Sequence, residues 1–391
     1  MLLSEFLAES IILTEAPAVG REYQHLEDLM IVNGSSGALT ALRELKNIES
    51  NPKTLNIKWD GRAAVYWGRE PNGTFIFAPK AQWEKQSKLT KKGLVKDIQS
   101  TGKMKSGQDP AEFAQQRKQL AAEWARVYDE LERSCPKNFR GYLWADVMFL
   151  HAPKKNKQGN YEFKPNKVDY FISPNSYLGE RIIEGAEIML AVHGKYNEFG
   201  QDSSQMVPAS DAEVAKFNDL NRRVITLPVQ HPMAPIEKNF EIDKLINFVK
   251  HNAANIDDIA NYTELKFSGL KKILYDYAVK RSHKHGALTF DDYLKTAKIS
   301  DNQKAILKAN VTRRPSWQVF WKIFDLIIDA KHQTLDKLHK SHGAEQHNKL
   351  GLSVATQGEP GGEGFAKVTD AGAVKLINPY FRSAEKAALF K

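Results

Sequence analysis

The period of the hydrophobic pattern changes twice along this chain, and that limits what the chain can fold into. Leu55 to Trp59, Ala63 to Trp67 and Thr74 to Ala78 are short runs rich in β-branched or aromatic residues, punctuated by Asp60-Gly61 and Pro71-Asn72-Gly73. They read as three consecutive antiparallel strands. A helix is expected at Ala111 to Glu132, then strands at Gly141 to Leu150 and Lys167 to Ile172. From Asp211 to His342 the chain reads as helical throughout, at Phe240 to Lys250, Tyr262 to Arg281, Phe290 to Lys298 and Trp317 to His339. In the last of these, Trp317, Phe320, Trp321, Phe324, Ile327 and Ile328 recur at spacings of three and four, which makes a packed core face. After Gly358 to Gly364 the strand period returns, at Phe365 to Val368 and Ala373 to Ile377. Near the start, Glu5 to Leu13 and Ala38 to Ile48 carry helical spacing on either side of the breaker Asn33-Gly34-Ser35-Ser36-Gly37. The expected fold class is therefore α+β. An N-terminal helical segment covers 1–50, a sheet domain combines 51–210 with 350–391, and a helical module, 211–349, is inserted between.

At 391 residues the chain can bury a full core, and 42% hydrophobic with 26% charged residues excludes a disordered or fibrous chain. No run of 18 apolar residues suggests a transmembrane helix. The segment Met1 to Thr14 has no basic start or small-residue cleavage site, so it does not read as a signal peptide. The single cysteine, Cys135, excludes a disulfide framework and a cysteine-rich zinc site. The expected setting is the cytoplasm. Lys and Arg number 56 against 47 Asp and Glu, a net charge of +9, which is compatible with nucleic-acid or polyphosphate partners. The excess concentrates between Lys80 and Lys105, where eight lysines face only Glu84 and Asp97. A second cluster, Lys154, Lys155, Lys157, Lys164 and Lys167, interleaves with Tyr161, Phe163 and Tyr170. Solvated surface is the bland reading of either run; a polyanion surface on 80–105 is the sharper one.

The sharpest local feature is Lys58-Trp59-Asp60-Gly61-Arg62. Lys58 and Asp60 alternate along an extended segment and can face one side, and Gly61 permits a sharp turn after them. A lysine in a partly dry pocket becomes a nucleophile once its pKa falls from about 10.4 toward neutrality. An Asp-Gly hairpin turn with an incidental lysine is the competing reading. Asp146 lies inside the apolar strand Gly141 to Leu150, where an unpaired charge is costly. Glu363 and Lys367 flank Gly364-Phe365-Ala366, and Lys375 again sits inside an apolar strand. Such charges in separate strands imply a shared polar site.

Taken in order, these pieces resemble the signature of the covalent nucleotidyltransferases: ATP-dependent DNA and RNA ligases and messenger-RNA capping enzymes. Lys58, Asp60 and Gly61 match the K-x-D-G motif whose lysine takes a nucleotide. Asp146 stands where a glutamate is usual, Glu363 with Lys367 approximates the E-G-x-x-x-K element, and Lys375 corresponds to the final lysine strand. The tail Lys375-Leu376-Ile377-Asn378-Pro379-Tyr380-Phe381-Arg382-Ser383 is similar to the ending of many phage ligase-like proteins. Much of the first 200 residues also resembles an uncharacterised family of large tailed phages, which makes the cytoplasm that of an infected host cell.

The resemblance implies an antiparallel-sheet, ligase adenylation-type domain that uses ATP and Mg²⁺ and acts on RNA or DNA ends. It implies that Lys58 takes AMP, that Asp60 and Asp146 help hold metal or ribose, and that Glu363 completes a metal site with Asp146. Lys367 and Lys375 would then neutralise phosphates, Gly61 would belong to the nucleotide pocket, and Arg62 and Lys80 would be second phosphate contacts. An aromatic ring of Tyr170-Phe171 would stack on adenine. Departures from the pattern are the placement of Arg62, the short Glu363 to Lys367 interval, and 305 residues between Lys58 and Glu363. Only about 13 residues follow Asn378, so no C-terminal OB-fold is expected, which argues against capping. Two alternatives stay open: a non-catalytic nucleic-acid-binding or virion-associated protein that kept the fold, and AMP transfer to another acceptor. His283-x-His285 and His339-x-x-His342 read as solvated helix ends, and no phosphate-binding P-loop is present.

Overall fold

A computed structural model describes residues 24–102, 104, 107–166, 168–201, 205–228, 236–261, 269–283, 287–350, 352–354, 364–369 and 372–377. The chain starts with β1 (Gln24–His25), α1 (Asp28–Ser50), β2 (Asn56–Lys58), β3 (Ala64–Arg69) and β4 (Phe75–Pro79). Three helices follow, α2 (Lys80–Glu84), α3 (Lys91–Ser100) and α4 (Pro110–Ser134), and then β5 (Gly141–Phe149), β6 (Lys154–Lys155), β7 (Tyr161–Phe163) and β8 (Tyr170–Ile172). Next come α5 (Tyr177–Ile183), β9 (Ile188–Tyr196), α6 (Asp211–Leu220) and β10 (Val224–Leu227). The helices α7 (Glu241–His251), α8 (Ala253–Ala260), α9 (Leu270–His283), α10 (Phe290–Thr296), α11 (Asp301–Ile306) and α12 (Pro315–Leu350) are followed by β11 (Leu352–Val354), β12 (Gly364–Thr369) and β13 (Gly372–Ile377). The class is α+β, with mostly antiparallel sheets.

The described residues divide into two units, of which the first holds those within 57–230 and 343–362. Its main sheet has the order β10-β9-β5-β3-β4. Alternation along β5 sends Leu143, Ala145 and Val147 into the core and Tyr142, Trp144 and Asp146 to the opposite face. The core face packs on α3, α4 and α6 through Leu94, Leu120, Trp124, Val127 and Phe217. Helix α4 starts where the sequence says it should. Pro110 opens it, and the Asp109 carboxylate accepts the backbone N–H groups of Ala111 and Glu112. The other face carries a small aromatic cluster, with Tyr66 stacked on Trp83 at 4.1 Å. A second sheet of this unit runs β11-β8-β7-β6.

Two expectations change here. Asp60-Gly61 is not a two-residue hairpin turn, because β2 is not part of the five-stranded sheet and the first antiparallel pair is β3 with β4. The region after Asp211 is not helical throughout either: β10 pairs in parallel with β9, from Val224↔Ile188 to Leu227↔Ala191. The run Val224-Ile225-Thr226-Leu227 is fully buried, and short buried apolar runs carry no period that separates strand from helix.

The second unit combines the described residues within 24–56, 236–342 and 364–377. The two final strands belong to a four-stranded sheet of order β1-β13-β12-β2. Strand β13 runs antiparallel to β12 and parallel to β1, with Gln24 opposite Val374 and His25 opposite Lys375. The breaker at residues 33–37 kinks helix α1 rather than ending it. Gly34 takes φ 60°, and the restarted helix is capped by Asp257, whose oxygens accept Ser35 N–H at 2.7 Å and Ser35 Oγ–H at 2.8 Å. The aromatic stripe of α12 is buried as its spacing predicts, with Phe320, Phe324 and Ile327 at 0% exposure; Ile328 is half-buried. His339 lies inside α12 against the Phe365 ring rather than at a solvated helix end. The expected helix Glu5 to Leu13, residues 262–268, His285 and the glycine loop before Gly364 lie outside the described residues.

Candidate functional site

Lys58 ends β2 and is half-buried. Beyond it the chain is clamped. Trp59 is 1% exposed, and Asp60 is 3% exposed. The Asp60 carboxylate accepts Asn166 Nδ2–H at 2.8 Å on one oxygen and the Val168 backbone N–H at 2.7 Å on the other. Its own backbone N–H donates to Tyr170 Oη at 2.9 Å. A buried carboxylate needs such donors, and charge-assisted bonds of this kind are the stronger sort. Asp60 thus fixes the K-x-D-G segment to the 166–170 segment. Tyr170 is the other half of that clamp. It is 0% exposed and stacked on Phe163 at 5.4 Å, so it is not available as a base platform.

Gly61 is required by its neighbour. A Cβ there would stand 2.5 Å from Asp146 Cβ and 3.1 Å from the Val147 carbonyl. Arg62 N–H then donates to Val147 O at 2.8 Å, and Val147 N–H donates to Ala63 O at 3.0 Å. The Lys58–Arg62 segment is therefore laid against β5 at Asp146, which pairs with Ala64. The structure brings Asp60, Gly61, Arg62 and Asp146 together within the first unit.

Asp146 has a partner that sequence reasoning missed. His193 Nε2 lies 2.9 Å from Asp146 Oδ2, with both side chains over four-fifths buried. The two side chains face each other as a carboxylate–imidazole pair. His193 reaches Asp146 because β9 bulges there: Ala145 pairs with Val192 but Trp144 pairs with Gly194, leaving His193 as the extra residue. The Trp144 ring backs it, with centroids 4.8 Å apart. The available signal was His193-Gly194 inside an apolar strand, since glycine there marks a bulge. Nothing in the sequence connects Asn166 to Asp60. Aspartate Oδ1 of residue 146 has no protein partner among the described residues, which leaves a half-open carboxylate beside the Lys58–Arg62 segment.

The remaining expected residues behave differently. Lys80 is half-buried and lies 3.6 Å from Glu84, one helical turn on. In the second unit Lys367 Nζ donates to Glu44 Oε2 at 2.8 Å, with the two side chains 14% and 16% exposed. Cross-strand partners share a face, and the register sets Lys367 opposite Val374 and Lys375 opposite Ala366. Lys367 and Lys375 therefore project from opposite faces of the β12–β13 pair and cannot converge on one phosphate chain from there. Glu363 lies outside the described residues. Among the described residues no group of three or more His, Cys, Asp or Glu is arranged around a metal position, and no helix is long and apolar enough to cross a membrane.

A protein family described as "Family of unknown function (DUF6267)" matches residues 22–384, which takes in both units and every described residue of the site. The chain belongs to that family. No curated protein and no solved structure matches it. Within this DUF6267 chain the Lys58–Arg62 segment is tied to residues 166–170 through Asp60 and is seated against Asp146 through Gly61.

Proposed function

We propose that the chain is an ATP-dependent, ligase-like nucleotidyltransferase that carries AMP on Lys58 and delivers it to a nucleic-acid end. The observation that carries this reading is the fixing of the K-x-D-G segment: Asp60 is tied to residues 166–170, and Gly61 is seated against Asp146. A nucleophilic lysine gains most from being held in place, because phosphoryl-type transfer is largely positioning and electrostatic stabilisation. The Lys58 amine, once deprotonated, attacks the α-phosphorus of ATP. A P–N bond forms, the bond to the leaving pyrophosphate breaks, and the phosphoramide nitrogen retains one hydrogen. Arg62, half-buried and next to the turn, is available to a phosphate oxygen. Asp146 Oδ1 suits Mg²⁺, which is content with one or two carboxylates and fills its remaining positions with water and phosphate oxygens. When bound, that ion neutralises phosphate charge.

The test is intact-mass analysis after incubation with ATP and Mg²⁺. An AMP adduct is expected in the native chain and absent in Lys58→Ala; an adduct surviving in Lys58→Ala, or none with any nucleotide, overturns the reading. One observation favours a second reading, a nucleic-acid-binding protein that kept the fold without catalysis. Lys367 is neutralised by Glu44, and Lys375 faces the other way, so the expected gathering of positive charge is weak.

A further inference from the structure

We infer that the β6–β7 hairpin, not the lysine-rich 80–105 segment, is the surface on which this protein takes the phosphate backbone of a nucleic acid. Of the lysines in 80–105, Lys80 pairs with Glu84, Lys88 with Glu70 at 2.6 Å, and Lys91 with Asp129. Lys103 and Lys105 lie outside the described residues. That leaves Lys85, Lys92 and Lys96 without an ionic partner among the described residues. Half of the described charge in this run is cancelled in place.

The hairpin presents the same number of unpartnered lysines within four residues instead of twelve, on an ordered turn. Lys154, Lys155 and Lys157 are all exposed and have no ionic partner among the described residues. Glu162, opposite Lys154 in the register, is the one acid on its strands, and Lys164 is held by Asp169 at 3.0 Å. The turn is tightly tied. Asn156 N–H donates to Asn160 O at 2.8 Å, Gly159 N–H donates to Asn156 O, and Asn156 Oδ1 accepts the N–H groups of Gln158 and Asn160. Gly159 supplies the positive φ of 85° that the turn needs. Lys155 lies over the Tyr161 ring at 5.3 Å, which supports its stem while its head stays accessible. Three cations are thus presented on a pre-ordered finger, and pre-order reduces the entropy lost on binding.

The finger also has a physical link to the candidate site. Strand β7 pairs with β8 from Tyr161↔Ile172 to Phe163↔Tyr170, and the intervening Asn166 and Val168 are the donors that hold Asp60. A polyanion seated on the hairpin rests on the same small sheet that fixes the segment after Lys58. Lysines on an edge strand also have a bland use, since β6 is the edge of its sheet and charge there blocks pairing with other chains. Glutamate blocks an edge as well as lysine does, so charge reversal separates the two roles.

The experiment measures fluorescence anisotropy of labelled single-stranded DNA, single-stranded RNA and duplex DNA with the full chain, across a salt series and without ATP. Lys154→Glu/Lys155→Glu/Lys157→Glu should weaken binding at least about tenfold at low salt and lower the log–log salt slope by about 2–3. Lys85→Glu/Lys92→Glu/Lys96→Glu should change either quantity far less. The inference is overturned if the native chain binds none of the three probes, if the hairpin variant binds as the native chain does, which makes the lysines edge guards only, or if the helix variant loses as much. Retention of the native melting temperature by each variant excludes misfolding as the cause. Because ATP is absent, failure here leaves AMP-adduct formation on Lys58 to be read independently.

Discussion

Two buried carboxylates, Glu27 in the second unit and Asp60 in the first, are held in opposite ways. Glu27 is closed against a cation. Lys331 and Glu27 are both 0% exposed, and Lys331 Nζ donates to both Glu27 oxygens at 2.7 Å. Arg314 grips Asp258 with two nitrogens, and that pairing holds the Asp258 carboxyl below the usual carboxylate range. In the first unit Glu130 is likewise met by Arg133 and Arg223, but Asp60 is held by neutral donors alone, and Asp146 lies against His193 and keeps one oxygen unclaimed. A closed pair has no valence left for a ligand; a carboxylate fixed by neutral donors keeps its charge, and a half-fixed one keeps an open side. The difference separates charges that stabilise from charges that can act.

The largest effect that would break this contrast is at Lys331. Lys331→Ala removes the ammonium partner of a fully buried carboxylate and should cost about 3–5 kcal/mol, read by urea unfolding. The double variant Lys331→Met/Glu27→Leu should recover most of that loss, because buried ion pairs are often replaceable by packed apolar groups. A near-neutral single variant would show that the pair is not closed.

A smaller loss is expected in the first unit. Asp60→Ala leaves the Asn166 and Val168 donors without their acceptor and should cost about 2–3 kcal/mol. The lone thiol offers a readout local to that unit. Burial pushes Cys135 up to about 12, so it is nearly inert to thiol reagents at pH 8 and reacts as the unit opens. Asp60→Ala should speed its labelling; an unchanged rate would mean that the clamp contributes little.

The smallest effect is the response to pH in the second unit. Burial, and then the neighbouring Lys331, hold His332 below the ordinary imidazole range, and burial does the same for His339. Both groups resist protonation when folded and not when unfolded. Their contribution is therefore complete above the unfolded value near 6.5 and is lost as pH falls through it toward the folded values. The melting temperature should drop between pH 7 and pH 5, and His332→Leu should lessen the drop; a stability that rises on acidification would contradict the sign.

Elements with long or clean periods were legible in the sequence: the α12 stripe, the Asp109-capped start of α4, and the alternation of β5 that isolates Asp146. Lys58, Asp60, Gly61 and Asp146 could be singled out because charge and glycine stand out in apolar strands. What could not be read was pairing over distance. The Asp60 contact with Asn166 and Val168 spans more than 100 residues with no periodic signature. His193 reaches Asp146 through a register shift of one residue, and a bulge alters which residue faces which without altering composition. Lys367 looked free because Glu44, its partner, lies 323 residues away on another element.

The parallel pairing of β1 with β13 sets a timetable. Gln24 must find Val374, so the sheet that anchors α1 cannot close until 350 further residues have been made. At about 5–20 residues per second this is a wait of roughly 18–70 s. The five strands of the other unit's main sheet are all synthesised by Leu227 and can form meanwhile. Throughout that interval β1 lacks Val374 and Lys375, its register partners, and its open edge depends on the ribosome-bound chain, or a chaperone, to keep it from the wrong ones.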